Sequence, residues 1–128
     1  MHYWLIWKVR KQNNELRNCS TAQNWENAPL YLSLINLGEV LYITEREHSR
    51  FMALRTLAAI DQLPLHILPV SRTTVLAAAH IKARYAISYS DAFAVVTAQE
   101  HQCPLVTGDP EFRALADDGL IVVEWLAR

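Results

Sequence analysis

The sequence has few of the residues that interrupt regular structure. Only 3 of its 128 residues are glycine and 5 are proline, whereas 52% are hydrophobic. This composition favours a compact fold with short loops over disorder. A chain of this length buries roughly two-thirds of the surface that it exposes when unfolded. We therefore expect one domain over residues 1–128.

Several functional motifs are also missing. The chain has no GxxxxGK[ST] or GxGxxG loop for a nucleotide and no GxSxG turn for a nucleophilic serine. Its two cysteines, Cys19 and Cys103, match no zinc or CxxC spacing, and its five histidines lack an HxxxH pattern. The formal net charge of -1 provides no basic surface that would by itself indicate nucleic acid. Nucleotide-binding loops, serine hydrolases and zinc sites are thus disfavoured.

Long apolar runs are absent as well. Tyr3 to Trp7 is apolar, but five residues are too few for a signal-peptide core or a bilayer span. We therefore expect a cytoplasmic protein that does not bind to a membrane.

From Pro29 onward, strand and helix signals alternate. The expected strands are 30–34, 66–70, 105–107 and 120–125. The expected helices are 36–45, one capped by Ser49, one opened by Ser71, one from Ser88 or Ser90 to about His101, and a short one at 110–116. This alternation predicts an α/β fold in which all strands of a parallel sheet run the same way, with helices on both faces.

Three acidic residues map to one edge of this sheet. Glu39 lies in the first turns after strand 30–34, Asp109 just beyond strand 105–107, and Asp91 near the start of the helix that leads back to that strand. Helices that follow parallel strands start at the strands' carboxyl edge, where open α/β sheets bind ligands. Like charges gathered there repel unless a cation lies between them, and oxygen ligands suit Mg²⁺ or Mn²⁺. Such ions serve phosphoryl chemistry.

Each acid also has a purely structural interpretation. Asp109 before Pro110 is a favourable helix cap, and Asp91 is favoured by the dipole of its helix. Glu39 is harder to explain in this way, because Leu37, Val40 and Leu41 around it are apolar. The proposed convergence of all three is what favours a metal site.

At these residues the chain resembles the PIN domain family, in particular the VapC-like toxins of bacterial VapBC toxin–antitoxin pairs. The similar segments are NLGEV (36–40), SDA (90–92) and TGDPEF (107–112), in the family's order and spacing. The resemblance covers 29–128 and leaves 1–28 as an atypical segment of the same domain. It implies a PIN-like three-layer fold and an endoribonuclease that uses Mg²⁺ or Mn²⁺.

The resemblance also implies site residues and partners. Glu39, Asp91 and Asp109 would be catalytic residues and metal ligands, with Thr107 and Asn36 in supporting roles. The substrate would be RNA, the protein would form a homodimer, and a VapB-like antitoxin would lie across the site. The alternative is a degenerate, non-catalytic PIN domain that binds an antitoxin or itself. A nuclease of the same fold that acts on DNA is a third possibility.

The N-terminal part departs from the family. Members begin with a central strand that ends in Asp and continue into an Asp-x-x-Ala-Leu-Leu helix, but this chain has no Asp before Asp61. Codons for Met1 to Lys8, read from the third base of ATG, encode Ala, Leu, Leu, Ala or Val, a variable residue, Leu or Met, then Glu. We therefore hypothesise that 1–27 is an out-of-frame reading and that the missing Asp is encoded upstream. An upstream sequence without that Asp codon would refute the hypothesis.

In this alignment the family's central first strand is absent or replaced. We favour a substitute helix over His2 to Arg17, and the alternative places Tyr3 to Trp7 in the vacant strand position. In either case Lys8 or Lys11 would approach the acids and compete with a metal. Loss of one carboxylate predicts impaired catalysis.

Overall fold

A computed structural model describes residues 8–10 and 30–126 of the chain. This part of the chain forms, in order, β1 (Lys8–Arg10), β2 (Leu30–Ser33), α1 (Leu34–Glu47), α2 (Arg50–Asp61), β3 (Leu65–Leu68), α3 (Arg72–Arg84), α4 (Tyr89–Glu100), β4 (Leu105–Thr107), a 3-10 turn (Pro110–Phe112), α5 (Arg113–Asp117) and β5 (Val123–Trp125). None of these helices is long and apolar enough to cross a membrane.

Serine residues determine where four of the helices begin. Ser33, Ser49, Ser71 and Ser88 precede α1 to α4, and each hydroxyl accepts a backbone N–H from the first turn of its helix. Such caps satisfy amide groups that have no partner within the helix. The predicted caps at Ser49 and Ser71 are confirmed, and of the two candidates for α4 the cap is Ser88.

The strands form one sheet in the order β3-β2-β1-β4-β5. β2 pairs with β3 in parallel, and β4 pairs with β5 in parallel. Helices flank the sheet, and α4 is the most deeply buried of them, with every residue from Asp91 to Ala98 buried. The core joins α4 to Leu32 of β2, Leu105 of β4 and Phe112 of the 3-10 turn. The predicted α/β fold with a flanked sheet is confirmed.

The centre of the sheet differs from the expected parallel arrangement. β1 lies between β2 and β4 and is antiparallel to both, with Val9 opposite Tyr31 and Lys8 opposite Val106. The central strand that the resemblance implies is therefore replaced rather than absent, and the strands do not all run the same way. This placement gives backbone partners to the inner edges of β2 and β4, which would otherwise be unpaired.

The helix predicted over His2 to Arg17 is wrong for Lys8–Arg10, which is a strand. The rest of that range, including Lys11, lies outside the described residues, as does the alternative strand at Tyr3 to Trp7. Pairing with two neighbouring strands outweighs local helix preference at these three positions.

The last strand is shorter than predicted because residues that precede it form the C-terminal end of α5. Gly119 has a φ of 78°, its N–H donates to the carbonyl of Ala116, and Leu120 N–H donates to the carbonyl of Leu115. These two bonds form a Schellman motif that ends α5. Leu120 therefore belongs to the helix end, and the strand begins at Val123.

Candidate metal centre

The end of β4 positions Asp109. Thr107, the last residue of the strand, is completely buried, and its Oγ1 accepts the Asp109 N–H at 3.0 Å. Asp109 Oδ1 in turn accepts the Glu111 N–H at 2.9 Å, so Asp109 caps the 3-10 turn that starts at Pro110. The predicted cap is confirmed, and it fixes the direction of a half-buried carboxylate at the carboxyl end of β4.

Asp91 comes from the first turn of α4. Its side chain is only 4% exposed, and its N–H donates to the Ser88 hydroxyl at 3.2 Å. Helix α4 is packed against the sheet along most of its length, which leaves Asp91 little freedom to move.

Asp91 and Asp109 come together with a third acid, Glu111. Each of the three residues offers one carboxylate oxygen, and these oxygens lie within 4.8 Å of one another. Glu111 was not predicted from the sequence as a site residue. Its position two residues after a capping Asp is explained equally well by the helix dipole, so sequence gave only the weak signal of an acid beside Asp109.

Glu39 lies beside this trio but does not belong to it. The side chain extends from α1, is half-buried, and its Oε2 atom is buried without a hydrogen-bond partner within residues 8–10 and 30–126. The negative charge of Glu39 acts on Asp91, whose pKa it raises. The structure thus places Glu39 within electrostatic reach of the acids expected from the sequence.

The surroundings of Asp91 strongly favour its protonated form. Burial is the main cause and raises the pKa of Asp91 from 3.8 to about 7. The Ser88 hydrogen bond lowers the pKa, whereas the negative charges of Glu39, Asp109 and Glu111 raise it further. A buried carboxyl among three other carboxylates is a place where a cation would be stabilised.

Asn36 connects α1 to the start of α4. It is completely buried, and its Nδ2 donates to the Ser90 carbonyl at 2.9 Å, next to Asp91. Residues three apart on a helix lie on the same side, so this bond also holds Glu39 toward the acids. Asn36 Oδ1 is buried without a hydrogen-bond partner in the part of the chain that the structure describes.

The donor set fits a hard divalent cation. Carboxylate oxygens from different elements converge, and buried oxygens of Glu39 and Asn36 have no hydrogen-bond partner among the described residues. Mg²⁺ and Mn²⁺ prefer such oxygen ligands. The residues that could hold the ion are Asp91, Asp109 and Glu111, with Glu39 next to them.

Comparisons with known proteins agree with this architecture. A family model described as PIN domain matches residues 9–118. One similar solved chain is from the crystal structure of VapBC2 from Rickettsia felis bound to a DNA fragment from their promoter, with 17% identity, a TM-score of 0.62, and 77% of this chain and 76% of that chain covered. Another is from a toxin–antitoxin complex from Klebsiella pneumoniae, with 24% identity, a TM-score of 0.53, and 73% of each chain covered.

A search of curated protein sequences finds no match. The two solved structures share the fold at low identity, while the family model covers most of this chain and includes Glu39, Asp91 and Asp109. The chain belongs to the PIN domain family.

Proposed function

We propose that the chain is a VapC-like, metal-dependent endoribonuclease whose activity is impaired. The observation that carries the proposal is the meeting of Asp91, Asp109 and Glu111 oxygens at the carboxyl end of β4. Membership of the PIN family supports a nuclease role, and the two similar structures are toxin–antitoxin complexes.

The roles follow from the positions of the side chains. Asp91 and Asp109 would hold Mg²⁺ or Mn²⁺, and Glu39 would be the third catalytic carboxylate, from α1. Glu111 would add an oxygen that was not predicted from the sequence. An ion held by these residues would supply charge that polarises the scissile phosphate and lowers the pKa of a bound water.

Thr107 and Asn36 support the site indirectly. Thr107 holds the backbone of Asp109, and Asn36 holds α1 against the start of α4. These contacts keep the acids from spreading apart under their mutual repulsion, so the site is formed before a metal binds.

The proposed impairment originates in the N-terminal part of the chain. Resemblance to the family implies an Asp at the end of the central strand, whereas the chain has no Asp before Asp61. The central strand is β1, which runs in the opposite direction to its neighbours. Glu111 compensates only in part, since it is exposed and approaches from the 3-10 turn rather than from the sheet.

We further propose a VapB-like antitoxin and a second copy of the chain as partners in the cytoplasm. Helices α1 and α2 expose large apolar side chains, among them Tyr42, Phe51 and Leu54. Arg46 lies over the Tyr42 ring and Arg55 over the Phe51 ring, a combination typical of protein interfaces.

A cleavage assay tests the proposed activity. Single-stranded RNA is incubated with the chain and increasing Mg²⁺ or Mn²⁺, beside Asp109→Asn, and Asp61→Asn serves as a control at an exposed position on α2. We expect weak, metal-dependent cleavage that is lost in Asp109→Asn and unchanged in Asp61→Asn. Cleavage that survives in Asp109→Asn would exclude this site as its source.

A second assay tests the impairment. A chain in which the family's N-terminal strand and helix replace 1–28 should cleave faster than this one. Equal rates would contradict the idea that the missing Asp limits activity.

The alternative is a PIN domain that binds partners without catalysis, and the missing Asp is the observation that favours it. In that case Mg²⁺ or Mn²⁺ would leave the melting temperature unchanged and no RNA would be cleaved, while antitoxin binding or self-association would persist.

A further inference from the structure

An exposed tryptophan stands beside the candidate metal centre. Trp125 is the last residue of β5 and lies opposite Thr107 in the parallel ladder with β4. The chain remains close to the end of β4 just after Trp125, because Leu126 N–H donates to the Thr107 carbonyl at 2.9 Å. Paired residues of neighbouring strands point to the same face, so the Trp125 and Thr107 side chains are neighbours. Asp109 follows two residues after Thr107.

The two ends of β5 differ in exposure although they share a face. Val123 packs against the hydrophobic core, whereas Trp125 remains 41% exposed at the rim of the sheet. A large aromatic ring left open to solvent at the ligand-binding edge of an α/β sheet has an unused surface that can bind a flat ligand.

Arg113 lies against this ring. Its guanidinium carbon lies 5.1 Å from the centre of the Trp125 ring, over one face. Arg113 opens α5 directly after the 3-10 turn that carries Glu111. The cation therefore covers one face of the ring, restricts its rotation and adds a positive charge next to a group of carboxylates.

We propose that Trp125, held from one side by Arg113, is a stacking platform for an unpaired base of the RNA substrate next to the scissile phosphate. This inference rests on the proposed nuclease function and names the substrate more closely. Unpaired bases stack on aromatic side chains and on arginine, whereas bases within a duplex have their faces covered by their neighbours. The site consequently selects single strands and loops, and Arg113 offers its remaining donors to a neighbouring phosphate.

The test separates base stacking from general charge attraction. Two fluorescent probes of equal length are compared by anisotropy in Mn²⁺: a short single-stranded RNA and an abasic ribose-phosphate oligomer. Gel analysis verifies that the probes remain intact. The wild-type chain should bind the RNA more tightly than the abasic oligomer, by about 5- to 150-fold for one stacked base.

Substitution at the ring should remove that preference. Trp125→Ala should bind both probes with similar affinity, and Trp125→Phe should retain part of the preference because it keeps a flat ring. The control is Leu63→Ala, which removes another large exposed apolar side chain. Leu63 precedes the amino end of β3, at the edge of the sheet opposite to the carboxyl edge, so the preference should be unchanged.

The inference is overturned by equal binding of both probes by the wild-type chain, by no binding of either probe, or by a preference that persists in Trp125→Ala. If Trp125→Ala instead weakens both probes equally and turns a dimer into a monomer in sedimentation, Trp125 is an interface residue and the inference is also overturned. The binding assay does not depend on cleavage. A base preference that requires Trp125, without any metal-dependent cleavage, would therefore support the stacking platform and refute the proposed nuclease activity.

Discussion

Protonation of Asp91 makes the stability of the metal-free protein depend on pH. The pKa of this residue is raised from 3.8 to about 7, first by burial and then by the charges of Glu39, Asp109 and Glu111. Between about pH 4 and pH 7 the folded protein retains a proton that the unfolded chain has already lost, so stability falls as the pH rises through this window. Each pKa unit corresponds to about 1.4 kcal/mol, which gives a loss of about 4 kcal/mol above pH 7.

Urea unfolding with a chelator present measures this loss. Asp91→Asn keeps the shape of the side chain but cannot ionise, so its stability should exceed that of the wild-type chain by about 4 kcal/mol at about pH 8 and by much less near pH 4.5. Asp61→Asn, at an exposed position, should follow the wild-type curve. If wild-type and Asp91→Asn stabilities stay parallel across this range, burial does not penalise the Asp91 charge.

A divalent cation should reverse the effect. At about pH 8, Mn²⁺ offsets the repulsion among the carboxylates and should raise the melting temperature of the wild-type chain, by mass action on the folded state. The rise should be much smaller in Asp91→Asn. Equal rises in both proteins would place the ion elsewhere.

Two further predictions concern the residues that hold the acids in place. Asn36→Ala removes the hydrogen bond from buried Asn36 to the start of α4 and should lower the free energy of unfolding by about 1–3 kcal/mol in urea denaturation. Thr107→Val keeps the volume but removes the acceptor of the Asp109 N–H; it should cost about 1 kcal/mol and reduce the Mn²⁺-dependent rise in melting temperature. An unchanged metal response in Thr107→Val would show that Asp109 is held by its capping bond alone.

Much of the fold from β2 onward could be predicted because the sequence carries local signals there. Serine caps mark the starts of α2, α3 and α4. The strand predicted from a short apolar run at 105–107 has the same bounds as β4. These signals act within a few residues, so one sequence suffices to read them. The predicted start of a strand was less accurate where the residues before it form the end of a helix, as at Gly119.

The site was predictable only to the extent that topology determines it. Parallel strands bring Asp91 and Asp109 to one edge, and alternation of strands and helices is visible in the sequence. The inclusion of Glu111 depends on the geometry of a short 3-10 turn, which no periodicity reveals. The central strand was missed because Lys8–Arg10 gains its stability from partners that are distant in sequence.

The direction of β1 decides where a lost carboxylate could be engineered back. In a central strand parallel to its neighbours, the residue at the C-terminal end lies at the acidic edge. Here the polarity is reversed: Lys8 is opposite Val106, toward Asp109, while Arg10 is opposite Leu30 at the other edge. A single substitution intended to complete the metal ligands therefore belongs at the Lys8 end, because an aspartate at the Arg10 end of β1 would put the new charge at the opposite edge of the sheet.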